Sequence, residues 1–266
     1  MSDLTRRLLF ALPAGVLFLW LFWVGGVSLY VILGLLSLAG VIEMVWMVRR
    51  WQPSTSLALS ILSALLLWAS PWMPSPLWMV LGGLLILALL SRVIRPGAIV
   101  QNWEMSLFCG LYAPVGLYAV WLVRSLSSEM EGFWLALTLL LMIWGNDTAA
   151  FVGGKRFGRR KLAPAISPNK TWEGFYSGMV GSVLVGSLLW LFADGYPLPL
   201  ASGLPLAILV SVAGPAGDLL ASSWKRKAGI KDSSGLFPGH GGMMDRFDSL
   251  ILAAPICWLY LQIWFR

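Results

Sequence analysis

The chain has 266 residues, 58% of them hydrophobic and 12% charged, with a net charge of +7 and a mean hydropathy of +0.79. Soluble domains carry about 25% charged residues, so a soluble globular enzyme, a disordered chain and a disulfide-stapled secreted domain are excluded. The apolar residues run in long blocks instead of alternating, which excludes a transmembrane β-barrel and leaves an all-α polytopic membrane protein.

In chain order the blocks predict about nine transmembrane helices: Leu8–Val24, Val27–Val48, Leu57–Ala69, Leu77–Val93, Trp103–Val123, Phe133–Gly153, Phe175–Ala193, Leu204–Trp224 and Ser249–Phe265. A span needs roughly 20 apolar residues. The third block is short, and only Gly25 and Gly26 divide the first two. The first block follows Arg6 and Arg7 as a signal peptide would, but it runs at once into a second span and reads as a retained helix. Residues 1–102 form an N-terminal unit of about four spans. Residues 103–266 form a C-terminal catalytic unit of about five spans with two polar loops. Cys109 and Cys257 lie inside apolar blocks and read as small core residues.

Basic residues test this topology. With nine spans and the N-terminus inside, one face receives Arg6, Arg7, Arg49, Arg50, Arg92, Arg95, Lys155, Arg156, Arg159, Arg160, Lys161, Lys170, Lys225, Arg226, Lys227, Lys231 and Arg246. Only Arg124 and Arg266 fall on the other. Such asymmetry predicts a cytoplasmic N-terminus and a C-terminus on the opposite side. It also suits an anionic substrate such as a nucleotide or phospholipid headgroup. No soluble basic domain exists to present a surface to nucleic acid.

Four acids interrupt the apolar blocks. Glu43 and Glu104 lie close to cytoplasmic ends, where snorkelling or a local pair such as Glu43 with Arg49 would account for them. Asp147 and Asp218 lie deeper, roughly 12 Å and about 10 Å below the basic residues Lys155 and Lys225. Two carboxylates on different helices thus reach one level beneath two polar loops. Asn146 adds a neutral oxygen, and Ser222 shares a helix face with Asp218. Oxygen ligands of this kind suit Mg²⁺, which takes one or two carboxylates plus substrate phosphates. The alternative is a pair of buried acids that are protonated or neutralised by Lys or Arg.

The last inner loop, Lys225 to Asp248, mixes Lys225, Arg226, Lys227 and Lys231 with Asp232, Asp245 and Asp248, and holds the only histidine, His240. Gly235, Gly239, Gly241 and Gly242 with Pro238 would let backbone approach a ligand closely. Asp245 and Asp248 could instead cap the last helix, and the basic run could anchor the chain at an interface. Neither alternative calls for His-Gly-Gly or for interleaved acids.

Ser222, Lys225, Arg226, Lys231, Asp232, Pro238, His240, Gly241, Gly242, Asp245, Arg246 and Asp248 together resemble the signature of phosphatidate cytidylyltransferases, S-x-x-K-R-x4-K-D followed by P-x-H-G-G-x-x-D-R-x-D. Trp224 stands where an aliphatic residue is usual. Asp147, Gly154, Lys155, Ser167, Pro168, Lys170, Thr171, Glu173 and Gly174 resemble the family's second polar stretch. Apart from the family, that stretch reads as a basic anchor with a helix start at Thr171. Before Trp103 the match is in hydrophobic character only.

The resemblance implies that CTP and phosphatidate become CDP-diacylglycerol and diphosphate by attack of the lipid phosphate on the α-phosphorus of CTP. It implies Mg²⁺ on Asp218 and Asp245, with Asp248 and Asp147 supporting, and leaves a second, monovalent cation open. Lys170, Lys225, Arg226 and Lys231 would hold phosphates, and His240 would donate to the leaving diphosphate. Ser167, Thr171 and Glu173, with Asn146, Lys155, Ser222, Asp232, Gly241, Gly242 and Arg246, complete the expected substrate contacts. The setting would be a bacterial inner (cytoplasmic) membrane with the active site on the cytoplasmic side, and a homodimer is left open. Two alternatives are a CTP-dependent polyprenol or phytol kinase and an ion or phosphate transporter. The unbroken signature argues against the kinase. The absence of internal repeats argues against the transporter.

Overall fold

In hydrocarbon, backbone N–H and C=O groups must pair within their own segment, so apolar blocks of this length become helices. A computed structural model of the chain describes residues 3–73, 103–193, 195–237 and 239–265, with side chains from residue 13 onward. Its helices are α1 (Asp3–Val24), α2 (Gly26–Val48), α3 (Leu57–Trp68), α4 (Trp103–Arg124), α5 (Glu129–Phe157), α6 (Trp172–Phe192), α7 (Leu200–Lys227) and α8 (Met244–Leu261). Five of them, α2 and α4 to α7, are long and apolar enough to cross a membrane. The expected span Leu77–Val93 lies outside the described residues.

Two expectations need correction. The chain is not wholly α-helical, because β1 (Lys161–Ala163) and β2 (Ser167–Thr171) form an antiparallel hairpin in the first polar loop. Several helices also outrun their apolar blocks. Ser128 accepts from Glu131 N and starts α5 at Glu129 instead of Phe133. At its far end α7 continues to Lys227, with Lys225, Arg226 and Lys227 in a last turn that favours cations.

α4 is central and packs on α2, α3 and α8, while α5 pairs with α6 and α7 with α8. At one end of the bundle, buried Arg124 closes the α1–α2 turn. Its guanidinium donates from Nε to Phe22 O (2.9 Å) and from Nη2 to Trp23 O (3.2 Å). Helix C-termini leave carbonyls unpaired, and a cation there also meets the negative end of the helix dipole. Glu129 balances the charge at 2.9 Å. Beside this end Tyr30, Trp68, Trp72, Tyr118 and Trp121 form an aromatic cluster with centroids 4.7–5.5 Å apart, edge-to-face except for the tilted Tyr118–Trp121 pair. The ends of α2, α5 and α7, and the starts of α6 and α8, gather at the opposite end with the polar loops.

Exterior chemistry matches lipid. Val180, Leu184, Leu188 and Leu191 on α6 are all more than half exposed, at spacings that put them along one face. A soluble monomer rarely leaves so large an apolar face in water.

The α4–α8 contact shows how the core was made to fit. Pro255 has no N–H to donate to Ile251 O. Gly116 of α4 lies against that residue, where an added Cβ would come within 2.5 Å of both Ile251 Cα and Ile251 O. Gly116→Ala is therefore expected to lower the thermal unfolding midpoint in detergent by roughly 3–9 °C, the range for 1–3 kcal/mol of overpacking. Gly203→Ala in α7, with nothing within 4 Å of its added Cβ, should leave it unchanged or raise it slightly.

Candidate active site

The hairpin positions one lysine. Thr171 Oγ1 accepts from Gly174 N at 3.1 Å and caps α6. Glu173 accepts from Arg159 N (3.0 Å) and Arg160 N (3.1 Å) and lies 3.8 Å from Arg160 Nε. These bonds close the base of the hairpin, so Thr171 and Glu173 act here on the backbone of their own loop. Lys170 points to the other side of the strand and meets α7, with Nζ 2.7 Å from Asp218 Oδ2. Ser222, one turn along α7, donates to Asp218 Oδ1 at 3.1 Å.

The last loop is closed by two carboxylates. Asp245, in the first turn of α8, takes Lys225 Nζ on Oδ1 (2.6 Å). On Oδ2 it takes Ser233 N (2.7 Å), Ser233 Oγ (2.9 Å) and Gly242 N (2.9 Å). Sequence reasoning missed the other carboxylate. Glu43 of α2 neither snorkels nor pairs with Arg49, whose Nε instead donates to Thr55 O at 3.0 Å. It is 5% exposed and accepts from Ser233 Oγ (2.7 Å), Ser234 Oγ (2.6 Å), Met243 N (2.9 Å) and Met244 N (2.9 Å). The N-terminus of α8 has no side-chain cap from its own segment, and Glu43 supplies one from across the bundle. The available signal was an acid inside the apolar second span, six residues before Arg49.

His-Gly-Gly takes its meaning from this closure. Gly241 has φ +80°, a region that costs other residues strain. A Cβ on Gly242 would sit 2.1 Å from Ser233 Oγ and 2.5 Å from both Glu43 oxygens. These glycines thus leave room for buried carboxylates as well as turning the chain. Phe237 N donates to Gly241 O at 2.9 Å, and Arg246 Nε donates to His240 O at 2.7 Å, fixing the turn that carries the histidine.

A cavity of about 880 Å³ joins these parts. Its polar side carries Asp147, Asp218, Lys225, Asp232, His240, Asp245, Arg246 and Asp248. Its apolar side carries Leu17, Phe18 and Leu21 of α1, Ile32 and Leu36 of α2, and Leu140, Ile143 and Trp144 of α5. α7 and α8 touch where Gly217 lies on Asp248 O, which brings Asp218 and Asp248 to the same level. Asn146 lies behind this wall, with Nδ2 3.4 Å from Asp147 Oδ1. Among the described residues its buried Oδ1 has no hydrogen-bond partner.

Other expected residues stand further off. Lys155 and Lys231 are exposed and do not line the cavity among the described residues. Ser167 pairs with Ala163 in the hairpin. Arg226 spans the two loops, donating from Nε to Ile166 O (3.3 Å) and from Nη1 to Ile230 O (3.4 Å).

Among the described residues no three acids or histidines converge closely enough to hold a metal by themselves. Asp147, Asp218 and Asp248 nevertheless face one cavity, and Asp218 lies within electrostatic range of the other two. That set fits a divalent ion that draws its remaining ligands from phosphates and water. Asp245 would have to exchange Lys225 for the ion.

Residues 5–264 match the model of a family described as the cytidylyltransferase family. A Brucella suis biovar 1 protein named phosphatidate cytidylyltransferase is 34% identical over 271 residues, covering 98% of this chain and 94% of that protein. A Brucella abortus biovar 1 protein of the same name is 33% identical over the same shares. A Staphylococcus saprophyticus protein, also so named, is 39% identical over 145 residues, 54% of either chain. The chain therefore belongs to the cytidylyltransferase family.

Proposed function

We propose that the protein transfers the cytidylyl group of CTP to phosphatidate, giving CDP-diacylglycerol and diphosphate, in a bacterial inner membrane with the polar end of the bundle in the cytoplasm. One observation carries this proposal: a single cavity has an apolar wall fit for acyl chains and a polar wall built from the last signature loop together with Asp147 of α5 and Asp218 of α7. The basic residues concentrated at that end support the cytoplasmic assignment, and the relatives named for the same activity support the substrates.

In the transfer, an oxygen of the lipid phosphate forms a bond to the α-phosphorus of CTP while the bond from that phosphorus to the β-phosphate bridging oxygen breaks. The electron pair leaves with diphosphate. A phosphate monoester is already ionised near neutral pH, so positioning and charge neutralisation dominate over base catalysis. Lys170 and Lys225 are the cations best placed for this work. Each is held by an acid, Asp218 at 2.7 Å and Asp245 at 2.6 Å. The pairs keep charge balanced while the site waits; Lys225 lines the cavity itself, and Lys170 reaches it through Asp218. His240, held by its turn at the cavity rim, is suited to the departing diphosphate. Asp218 with Asp147 and Asp248 would hold Mg²⁺, which when bound would neutralise phosphate charge.

Purified protein incubated with phosphatidate, α-³²P-CTP and Mg²⁺ should move label into the lipid phase, and chelation should stop it. Labelled lipid never appearing from folded protein would sink the proposal. In the same assay Asp218→Asn and Lys170→Met should each lower turnover by about 10²–10³-fold, the loss typical of a missing electrostatic stabiliser. Full turnover in either variant would remove that residue from the mechanism.

A further inference from the structure

We propose that Glu43 is a positioning residue, which sets His240 and Asp245 against the cavity by clamping both ends of the loop that carries them. The inference rests on the transferase assignment of that cavity. Glu43 itself does not line the cavity among the described residues. Its two oxygens take Ser233 Oγ and Ser234 Oγ from the start of the loop, and Met243 N and Met244 N from its end. The two ends of the loop thus meet on one side chain of α2. Ser233 Oγ then continues to Asp245 Oδ2 at 2.9 Å, and Asp245 Oδ1 to Lys225 Nζ at 2.6 Å. The chain of contacts runs from α2 through the loop to α7, and ends on a lysine and an acid that face the substrate cavity.

Four donor groups face Glu43, the single Ser233 hydroxyl proton being shared with Asp245 Oδ2, so the site requires a group that only accepts. An ionised carboxylate is such a group, whereas a Gln amide would set its own N–H groups against the incoming donors. Backbone N–H groups at the start of a helix also favour an anion. Gly242 is part of the same arrangement, because any Cβ there would displace the Glu43 oxygens.

The test compares wild type, Glu43→Gln, Glu43→Asp and Ser234→Ala in the label-transfer assay. It adds thermal unfolding in detergent and hydrogen exchange of the segment spanning residues 233–246. Glu43→Gln should lower kcat roughly 10–100-fold, the range for groups that orient functional ligands from behind, while KM for phosphatidate is unchanged. Exchange at Met243 and Met244 should accelerate. Glu43→Asp, which keeps the charge, should recover part of kcat. Ser234→Ala removes one donor and should show a smaller kcat loss with the unfolding midpoint intact, so the series remains informative if Glu43→Gln does not fold. Wild-type kcat with wild-type exchange in Glu43→Gln would overturn the inference, as would kcat losses that only follow the folded fraction. An inactive wild type would count against the transferase assignment instead. Exchange would then still decide whether Glu43 holds the loop.

Discussion

The first backbone N–H groups of α8 need acceptors, and the acceptor they find is a carboxylate 200 residues earlier in the chain. An uncompensated carboxylate inside an apolar bundle is costly. Unpaired N–H groups at a buried helix start are costly too. Each problem solves the other when Glu43 meets Met243 and Met244, with two serine hydroxyls completing the set. The last loop is thereby fixed against α2, and the chemistry on that loop is placed relative to α5 and α7.

The same economy of charge recurs at the cavity. Lys170 faces Asp218 and Lys225 faces Asp245, so cations and acids fit for phosphates and a metal ion balance one another before substrate arrives. Arg124 plays a parallel part at the far end, where its guanidinium closes the α1–α2 turn on carbonyl oxygens. Glu43, Arg124, Asp218 and Asp245 are each met by a helix end or by an opposite charge. The lipid-facing helix surfaces can then stay apolar, as α6 does.

Much of this was legible in the sequence because it was local. Apolar length marked the helices, and the distances of Asp147 and Asp218 from Lys155 and Lys225 suggested that the two acids share one site; both line the same cavity. Ser222 and Asp218 are neighbours because they are one helical turn apart. What was hidden depends on long-range contacts. Glu43 looked like a partner for nearby Arg49, while its donors lie 190 residues and more away. The hairpin was hidden because its strands are short, basic and interrupted by Pro168, which a strand without neighbours on that edge tolerates. Gly242 read as room for a ligand, and the room is taken by Glu43 and Ser233.

Two unlike substrates meeting in one cavity is the claim on which the functional account stands. Photoactivatable phosphatidate carrying its reactive group in the acyl chain, added to the whole protein in lipid and mapped by mass spectrometry, tests it most directly. The account predicts labelling on the cavity faces of α1 and α5, around Leu17–Leu21 and Leu140–Trp144, with competition by unlabelled phosphatidate. Labelling confined to the outer face of α6, around Val180–Leu191, and indifferent to competitor would contradict it.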